Sequence, residues 1–158
     1  MTTVAVNAVA LDDIGPLLES VGSLFREDAG RHDSGIRNAD WPAQGGLAYY
    51  SGIVDDPSCL LALARDADGS AVGHLVGKLS GPNEMLLTRI AVLESIRVAP
   101  EARGTGVGSA LVRHFFAWAR AEGAVQASVT AYAANETALR FYARHGFAPH
   151  SVTARATL

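Results

Sequence analysis

Apolar residues along the first half of the chain predict a strand, a helix and a β-hairpin, in that order. Residues 4–10 form a short apolar run, which predicts the first strand. The next apolar residues recur every three or four positions and predict a helix with one buried face: Ile14, Leu17, Leu18, Val21 and Leu24. Residues 59–64 and 71–77 are apolar runs on either side of a turn-forming stretch, which predicts the hairpin.

The stretch between the first helix and the hairpin has the least regular pattern. Charged residues, glycines and Pro42 interrupt residues 25–43, which predicts a loop or a short irregular helix. Residues 46–54 predict a short second helix.

A central strand and a long helix follow the hairpin. Residues 86–98 are too apolar for an outer strand, which predicts a central strand that Pro100 ends. Residues 105–122 carry apolar side chains at steps of three and four, which predicts a helix that Gly123 ends.

The last part of the chain continues this alternation. Residues 126–132 predict a strand, and residues 135–145 predict a helix with Asn135 as its N-cap and Gly146 as its end. Residues 148–157 predict a final strand. A hairpin followed by alternating strands and helices predicts an α/β fold, with a mixed, partly parallel sheet and helices on its faces.

Composition narrows the class of protein. Hydrophobic residues make up 49% and charged residues 18% of the 158 residues, which is typical of one folded domain. The net charge of −3 argues against nucleic-acid binding, and no run approaches the about 20 apolar residues of a membrane span. Cys59 is the only cysteine and the five histidines form no ligand-like cluster, so neither a disulfide nor a metal is expected. A soluble, cytoplasmic protein is the expectation.

The charges are distributed unevenly. Residues 1–79 carry 11 acidic and 5 basic residues, a net charge of −6, whereas residues 80–158 carry 5 and 8, a net charge of +3. This asymmetry favours an anionic ligand on the C-terminal half and a cationic ligand against the N-terminal half. A random fluctuation of surface charge is the alternative.

Three glycines lie where the predicted central strand leads into the start of the long helix: Gly104, Gly106 and Gly108. Glycine lets a backbone approach a phosphate closely, and the first amides of a helix donate to anions. The loop lacks the lysine of a nucleoside-triphosphate loop, because Ser109 follows Gly108 directly. It also differs from a dinucleotide fingerprint, since four residues and Arg103 separate it from the strand. A glycine-rich turn without a ligand is the alternative.

Two segments together resemble a known family. The pattern R-x-x-G-x-G at residues 103–108 follows Val98-x-Pro100 and is similar to the pyrophosphate loop of the GCN5-related N-acetyltransferases, or GNAT family. Residues 135–147 read N-x-x-A-x-x-F-Y-x-x-x-G-F, which is similar to a helix of the same family. The resemblance implies a single GNAT-like domain over the whole chain, with a mixed, splayed β-sheet flanked by helices. It also implies acetyl-coenzyme A as the acyl donor.

The resemblance further implies which residues would hold this donor. The backbone at Ile96 and Val98 would pair with the pantetheine arm, and Asn135 would bond the arm near the thioester. Arg103 would add positive charge beside the pyrophosphate. Four backbone amides would hold the pyrophosphate itself: those of Gly104, Gly106, Gly108 and Ser109.

Tyr142 matches the family's tyrosine that protonates the departing thiolate. Acetyl transfer to an amine requires such a proton, and a phenol with an ordinary pKa of ~10 stays protonated at neutral pH. An aromatic packing role beside Phe141 is the alternative.

Glu94 is the candidate base. It lies four residues before Val98, where some family members that acetylate small amines have a glutamate that takes the ammonium proton, directly or through water. Period-two alternation places Glu94 on the same strand face as Ile96 and Val98. A structural salt bridge to Arg89 or Arg97 is the alternative.

These features predict an acetyl-coenzyme A-dependent N-acetyltransferase in which a primary amine attacks directly. The acidic N-terminal half favours a small cationic acceptor. Three aromatic residues have two possible roles: they would either line a cation pocket near Asp33 and Asp40 or pack the domain edge. These residues are Trp41, Tyr49 and Tyr50. A protein or peptide acetyltransferase acting on N-termini or lysines is one alternative, and a non-catalytic module that senses acyl-coenzyme A is another.

Residues 25–54 would carry the acceptor specificity in this architecture. After Phe147 only eleven residues follow, fewer than the pair of final strands in many relatives, so the sheet is expected to have an exposed edge. Since exposed edges are commonly covered, a homodimer that completes the sheet or the substrate pocket is a further expectation.

Overall fold

A computed structural model describes residues 3–158, whose five strands form one open sheet in the order β1-β2-β3-β4-β5. The strands are β1 (Ala5–Ala8), β2 (Cys59–Arg65), β3 (Ala71–Ser80), β4 (Ile90–Val98) and β5 (Gln126–Val129). Neighbours from β1 to β4 are antiparallel, whereas β5 runs parallel to β4. The predicted α/β class with a mixed sheet is therefore confirmed.

Five α-helices accompany this sheet in the described part of the chain: α1 (Ile14–Glu27), α2 (Ala29–His32), α3 (Leu47–Ile53), α4 (Val107–Ala121) and α5 (Glu136–Arg144). Within the stretch predicted as irregular, α1 continues to Glu27, α2 follows at once, and a π-helical segment, Pro42–Gly46, leads into α3. Among residues 3–158, no helix is both long enough and apolar enough to cross a bilayer.

Both faces of the sheet are covered. Helix α4 buries Leu111 and Phe115 completely against one face, next to Leu75 of β3. Helices α1 and α3 cover the other face, where Leu17 and Tyr50 are buried. Because the central strands are buried on two sides, β2 and β3 read in the sequence as continuous apolar runs rather than as alternating ones.

Strand β4 begins four residues later than the apolar pattern predicts. The side chain of Asn83 accepts hydrogen bonds from the amides of Met85 and Leu86, at 2.9 and 3.0 Å. This Asx turn makes residues 83–86 part of the loop between β3 and β4, and the first β4 residue is Ile90.

The prediction of a strand over residues 148–157 is wrong. The described residues 148–158 contain no strand, and Val152 is 94% exposed, so this segment buries no apolar face that would fix it against the sheet. Instead Arg155 donates to Asp33 at 2.6 Å, just after α2, and β5 is left as an edge strand. The expected homodimer stays a prediction.

A β-bulge changes the alternation along β4. Val76 pairs with Ser95 and Gly77 pairs with Leu93, so Glu94 is an extra residue with no partner on β3. Leu93 and Ile96, three positions apart, consequently pack into the same core on the α4 face. The predicted common face of Glu94 with Ile96 is therefore wrong, because period two holds only along an uninterrupted ladder.

Candidate active site

The sheet forks between β4 and β5. Their ladder ends at the pair Leu93 and Val129, whereas β4 continues to Val98 against β3 alone. The backbone of residues 94–98 is therefore open on the side that β5 has left. This splay is the one that the family resemblance implies, and Glu94 is the first residue beyond the fork.

The glycine loop presents an open, left-handed backbone at the start of α4. Gly104 and Gly106 have φ angles of 76° and 92°, and a Cβ added at either would meet no heavy atom within 4 Å. Gly106 precedes α4 without any side-chain cap. The amides of the first helical turn, including those of Gly108 and Ser109, therefore have no partner within the helix and can donate hydrogen bonds to an anion.

Gly108 and Ser109 also join α4 to α5. A Cβ at Gly108 would lie 3.0 Å from the ring of Phe141, which shows how closely the two helices approach. The hydroxyl of Ser109 lies 3.2 Å from Nε2 of His145. The same two residues thus pack against α5 and belong to the uncapped first turn of α4.

Arg103 already has partners on β4 and on α1. Its Nε donates to the carbonyl of Val98 at 3.0 Å, and its guanidinium contacts Glu27, the last residue of α1, at 3.2 Å. Glu27 also pairs with Arg97 at 2.8 Å. The hydrogen bond from Arg97 is the main reason why the pKa of Glu27 lies below its usual value.

Asn135 is the N-cap of α5, as the sequence predicts. Its side-chain oxygen accepts from the amide of Ala138 at 3.1 Å, and its Nδ2 donates to Asp28 at 3.4 Å. Burial raises the pKa of the Asp28 carboxyl, although this hydrogen bond acts in the opposite direction. Asn135 therefore links α5 to the junction between α1 and α2.

Tyr142 combines a packed ring with an available hydroxyl. Its ring centroid lies 5.6 Å from that of Phe141 and 5.8 Å from that of Phe147. Burial, with a smaller effect from the charge of Asp28, raises the pKa of Tyr142 to about 12. Within residues 3–158 the hydroxyl makes no hydrogen bond, yet no fully buried side-chain oxygen or nitrogen lacks a partner, so this oxygen reaches open space. The phenol is thus protonated and free to donate.

Glu94 is exposed at the bulge. The alternative of a structural salt bridge is wrong, because Arg97 pairs with Glu27 and Arg89 donates to the carbonyl of Glu122 at 2.7 Å. The charge of Glu94 acts on α3: burial raises the pKa of Tyr50 to about 12, and the charges of Tyr49 and Glu94 add to that shift.

The aromatic residues beside Glu94 belong mostly to the core. Trp41 packs against Tyr49 at 5.6 Å between ring centroids, and Tyr49 against Tyr50 at 5.0 Å. Trp41 and Tyr50 lie in the core under α1, whereas Tyr49 is 39% exposed. Of the three, Tyr49 offers a ring to a ligand. Asp33 is engaged elsewhere, by Arg155 and Tyr132.

Two acidic residues at the end of α1 are absent from the predicted site, although both reach the fork. Glu27 contacts Arg97, which is 70 positions away, and Asp28 contacts Asn135, which is 107 positions away. No motif surrounds either residue, and the only signal that points to them is the excess of acidic residues in the N-terminal half.

The model of the Acetyltransferase (GNAT) family matches residues 20–147. This chain belongs to the GNAT acetyltransferase family. Both GNAT-like motifs, residues 103–108 and 135–147, lie within the matched region.

Two curated relatives have sequence similarity to this GNAT chain. A streptothricin acetyltransferase from Streptomyces lavendulae is 34% identical over 109 residues, which are 68% of this chain and 55% of the relative. A mycothiol acetyltransferase from Stackebrandtia nassauensis is 32% identical over 115 residues, which are 69% of this chain and 37% of the relative. The chain therefore spans about half or less of the length of these relatives.

Solved structures confirm the GNAT fold. The crystal structure of a four-fold mutant of a Bacillus halodurans protein superposes on this chain with a TM-score of 0.86 at 16% sequence identity. The match covers 98% of this chain and 99% of that protein. Similarity at this level of identity establishes the arrangement of strands and helices.

Proposed function

We propose that this GNAT protein transfers the acetyl group of acetyl-coenzyme A to the primary amine of a small cationic molecule by direct attack. The observation that carries the proposal is the position of Glu94. It is the extra residue of the β4 bulge, the first residue beyond the fork, and an exposed carboxylate that neither Arg89 nor Arg97 neutralises.

The residues at the fork fit the donor. The pyrophosphate would meet the first-turn amides of α4 and the open backbone at Gly104 and Gly106, while the pantetheine arm would lie along Ile96 and Val98. Bound acetyl-coenzyme A supplies the acetyl group as an activated thioester. Arg103 would exchange Glu27 for the pyrophosphate, and Asn135 would hold the arm from the other side of the fork.

The chain's own groups would move two protons. Glu94 would take one proton from the acceptor ammonium, which makes the amine nucleophilic. Tyr142 would donate its proton to the departing sulfur, and the second proton that the nitrogen loses as the amide forms would restore the phenol. Because burial raises the pKa of Tyr142 to about 12, its hydroxyl is protonated at neutral pH and can donate.

Charge supports a cationic acceptor. Tyr49 has an exposed ring, and burial followed by the charge of Glu94 raises its pKa. A carboxylate and an aromatic ring both attract an ammonium group. The names of the two curated relatives refer to streptothricin and mycothiol, which are small molecules and not proteins. Peptide substrates also carry ammonium groups and are therefore the alternative acceptors.

A substrate panel tests the proposal. We expect acetyl-coenzyme A-dependent thiol release, corrected for hydrolysis, with one class among aminoglycosides, polyamines, streptothricin and amino acids, and much slower release with short peptides. Turnover confined to peptides would show that the acceptor is a protein or peptide and would overturn the proposed small-molecule acceptor. If no acceptor in the panel gives thiol release although calorimetry demonstrates acetyl-coenzyme A binding, the result would favour a module that senses acyl-coenzyme A.

The glycine loop yields a separate prediction. We expect Gly106→Ala to weaken acetyl-coenzyme A binding roughly tenfold, because a side chain in the left-handed region costs about 1–2 kcal/mol and the exposed loop relaxes away from the binding conformation. Titration calorimetry measures the dissociation constant.

Gly69→Ala is the matched control. Gly69 has a φ of 83° and equally open surroundings, but it lies in the turn between β2 and β3. This variant should lose folding stability and bind acetyl-coenzyme A as the parent does. Equal affinity in the parent and the Gly106→Ala variant would show that the donor does not use this loop conformation.

A further inference from the structure

A partly buried series of hydrogen bonds links α1 to β4 through His74 of β3. The hydroxyl of Ser20 lies 2.6 Å from Nδ1 of His74, and Nε2 of His74 lies 3.0 Å from the hydroxyl of Ser95. The His74 side chain, on β3, is completely buried. Nothing in the proposed transfer reaction uses these three residues, although Ser95 directly follows Glu94.

The imidazole of His74 acts as a fixed connector rather than as a proton carrier. Burial, with a smaller effect from Arg97, lowers the pKa of His74 to about 3, so the ring is neutral at neutral pH. A neutral imidazole has one donor and one acceptor nitrogen, and a hydroxyl can serve as either partner. Both ring nitrogens are therefore satisfied inside an apolar core, which holds the ring in one orientation.

The series of hydrogen bonds from Ser20 through His74 ends at Ser95, beside the bulge. Leu93, on one side of Glu94, is buried in the core and pairs with Val129 of β5. Ser95, on the other side, pairs with Val76 and is held by His74. The extra residue of the bulge is thus fixed from both directions, by apolar packing before it and by a hydrogen bond after it.

We propose that His74 is a positioning residue for the reaction, which acts by anchoring Ser95 and thereby fixing the bulge that presents Glu94 at the fork. The inference rests on the proposed role of Glu94 as the base. Without the anchor, the extra residue can be taken up at a neighbouring position of the ladder. Since side chains alternate along a strand, such a shift turns Glu94 away from the acceptor.

The test compares Ser95→Ala with Ser95→Thr, which keeps the hydroxyl and suits a strand. We expect Ser95→Ala to lower kcat about tenfold, with the KM for acetyl-coenzyme A unchanged, because a small displacement of a catalytic group is costly. Ser95→Thr should restore the rate. A fall in acetyl-coenzyme A affinity instead would assign Ser95 to the donor site and overturn the proposal.

Val21→Ala separates positioning from stability. Val21 is completely buried on α1, next in sequence to Ser20, and its core cluster contains neither Glu94 nor Tyr142. This variant should lose thermal stability and keep its kcat well below the melting temperature. If Ser95→Ala loses no more activity than Val21→Ala, the hydrogen-bonded chain serves folding alone.

A double variant distinguishes this inference from the proposed function. If Ser95 acts through Glu94, the variant with both Glu94→Gln and Ser95→Ala should be no slower than Glu94→Gln alone. Additive losses would show that Ser95 acts independently and would overturn the positioning role. Full activity of Glu94→Gln by itself would instead overturn the assignment of the base.

Discussion

Replacing Tyr142 with phenylalanine is expected to lower kcat about 100-fold, because loss of a general acid typically removes a factor of this size. The ring contacts with Phe141 and Phe147 do not involve the hydroxyl, so the folded state should be little affected. The affinity for acetyl-coenzyme A should also be unchanged. Steady-state kinetics together with calorimetry of donor binding measure both quantities.

The pH dependence makes this prediction specific. Burial favours the neutral phenol and raises the pKa of Tyr142 to about 12, so the proton is present below that pH and lost above it. The parent should therefore show no decline in kcat from this group below about pH 10. Tyr132→Phe is the matched control, because that hydroxyl bonds Asp33 instead, and it should retain most of the parent's kcat. A Tyr142→Phe variant with the parent's rate would leave the ring a packing role only.

Glu94→Gln is expected to lower the rate about 100-fold at pH 7, because the ammonium form of the acceptor then has no base to deprotonate it. The loss should shrink as the pH rises, since a growing share of the amine loses its proton to solvent. Rates measured between pH 7 and pH 10 with a single acceptor show whether the two profiles converge.

Glu84→Gln removes the same charge from the exposed segment between β3 and β4 and serves as the control. It should follow the parent at every pH. A loss for Glu94→Gln that is equally large across the whole range would indicate acceptor binding rather than proton transfer. An unchanged rate would exclude Glu94 from the reaction.

Local signals explain what could be predicted from the sequence. The glycine loop and the Asn135 cap depend on residues within a few positions of one another, and the structure places both as expected. The burial of α4 likewise follows from the spacing of Leu111 and Phe115. Each of these features is determined by backbone preference or by periodicity within one element.

Features that depend on distant partners could not be predicted. Alternation along β4 gives no sign of the bulge, because the bulge is a mismatch in register with β3. The path of the last residues is set by an ion pair between Arg155 and Asp33, 122 positions apart. The contacts of Glu27 and Asp28, where α1 meets α2, are equally distant in sequence, because their partners are Arg97 and Asn135.

The contact between Glu27 and Arg103 has a consequence for how the donor would bind at different ionic strengths. Arg103 is already neutralised by a carboxylate at 3.2 Å, and Glu27 retains Arg97 at 2.8 Å when Arg103 leaves. Donor binding would then replace one anion with another at the same guanidinium. Such an ion exchange releases few counterions, so the affinity should depend less on added salt than it would for an unpaired arginine.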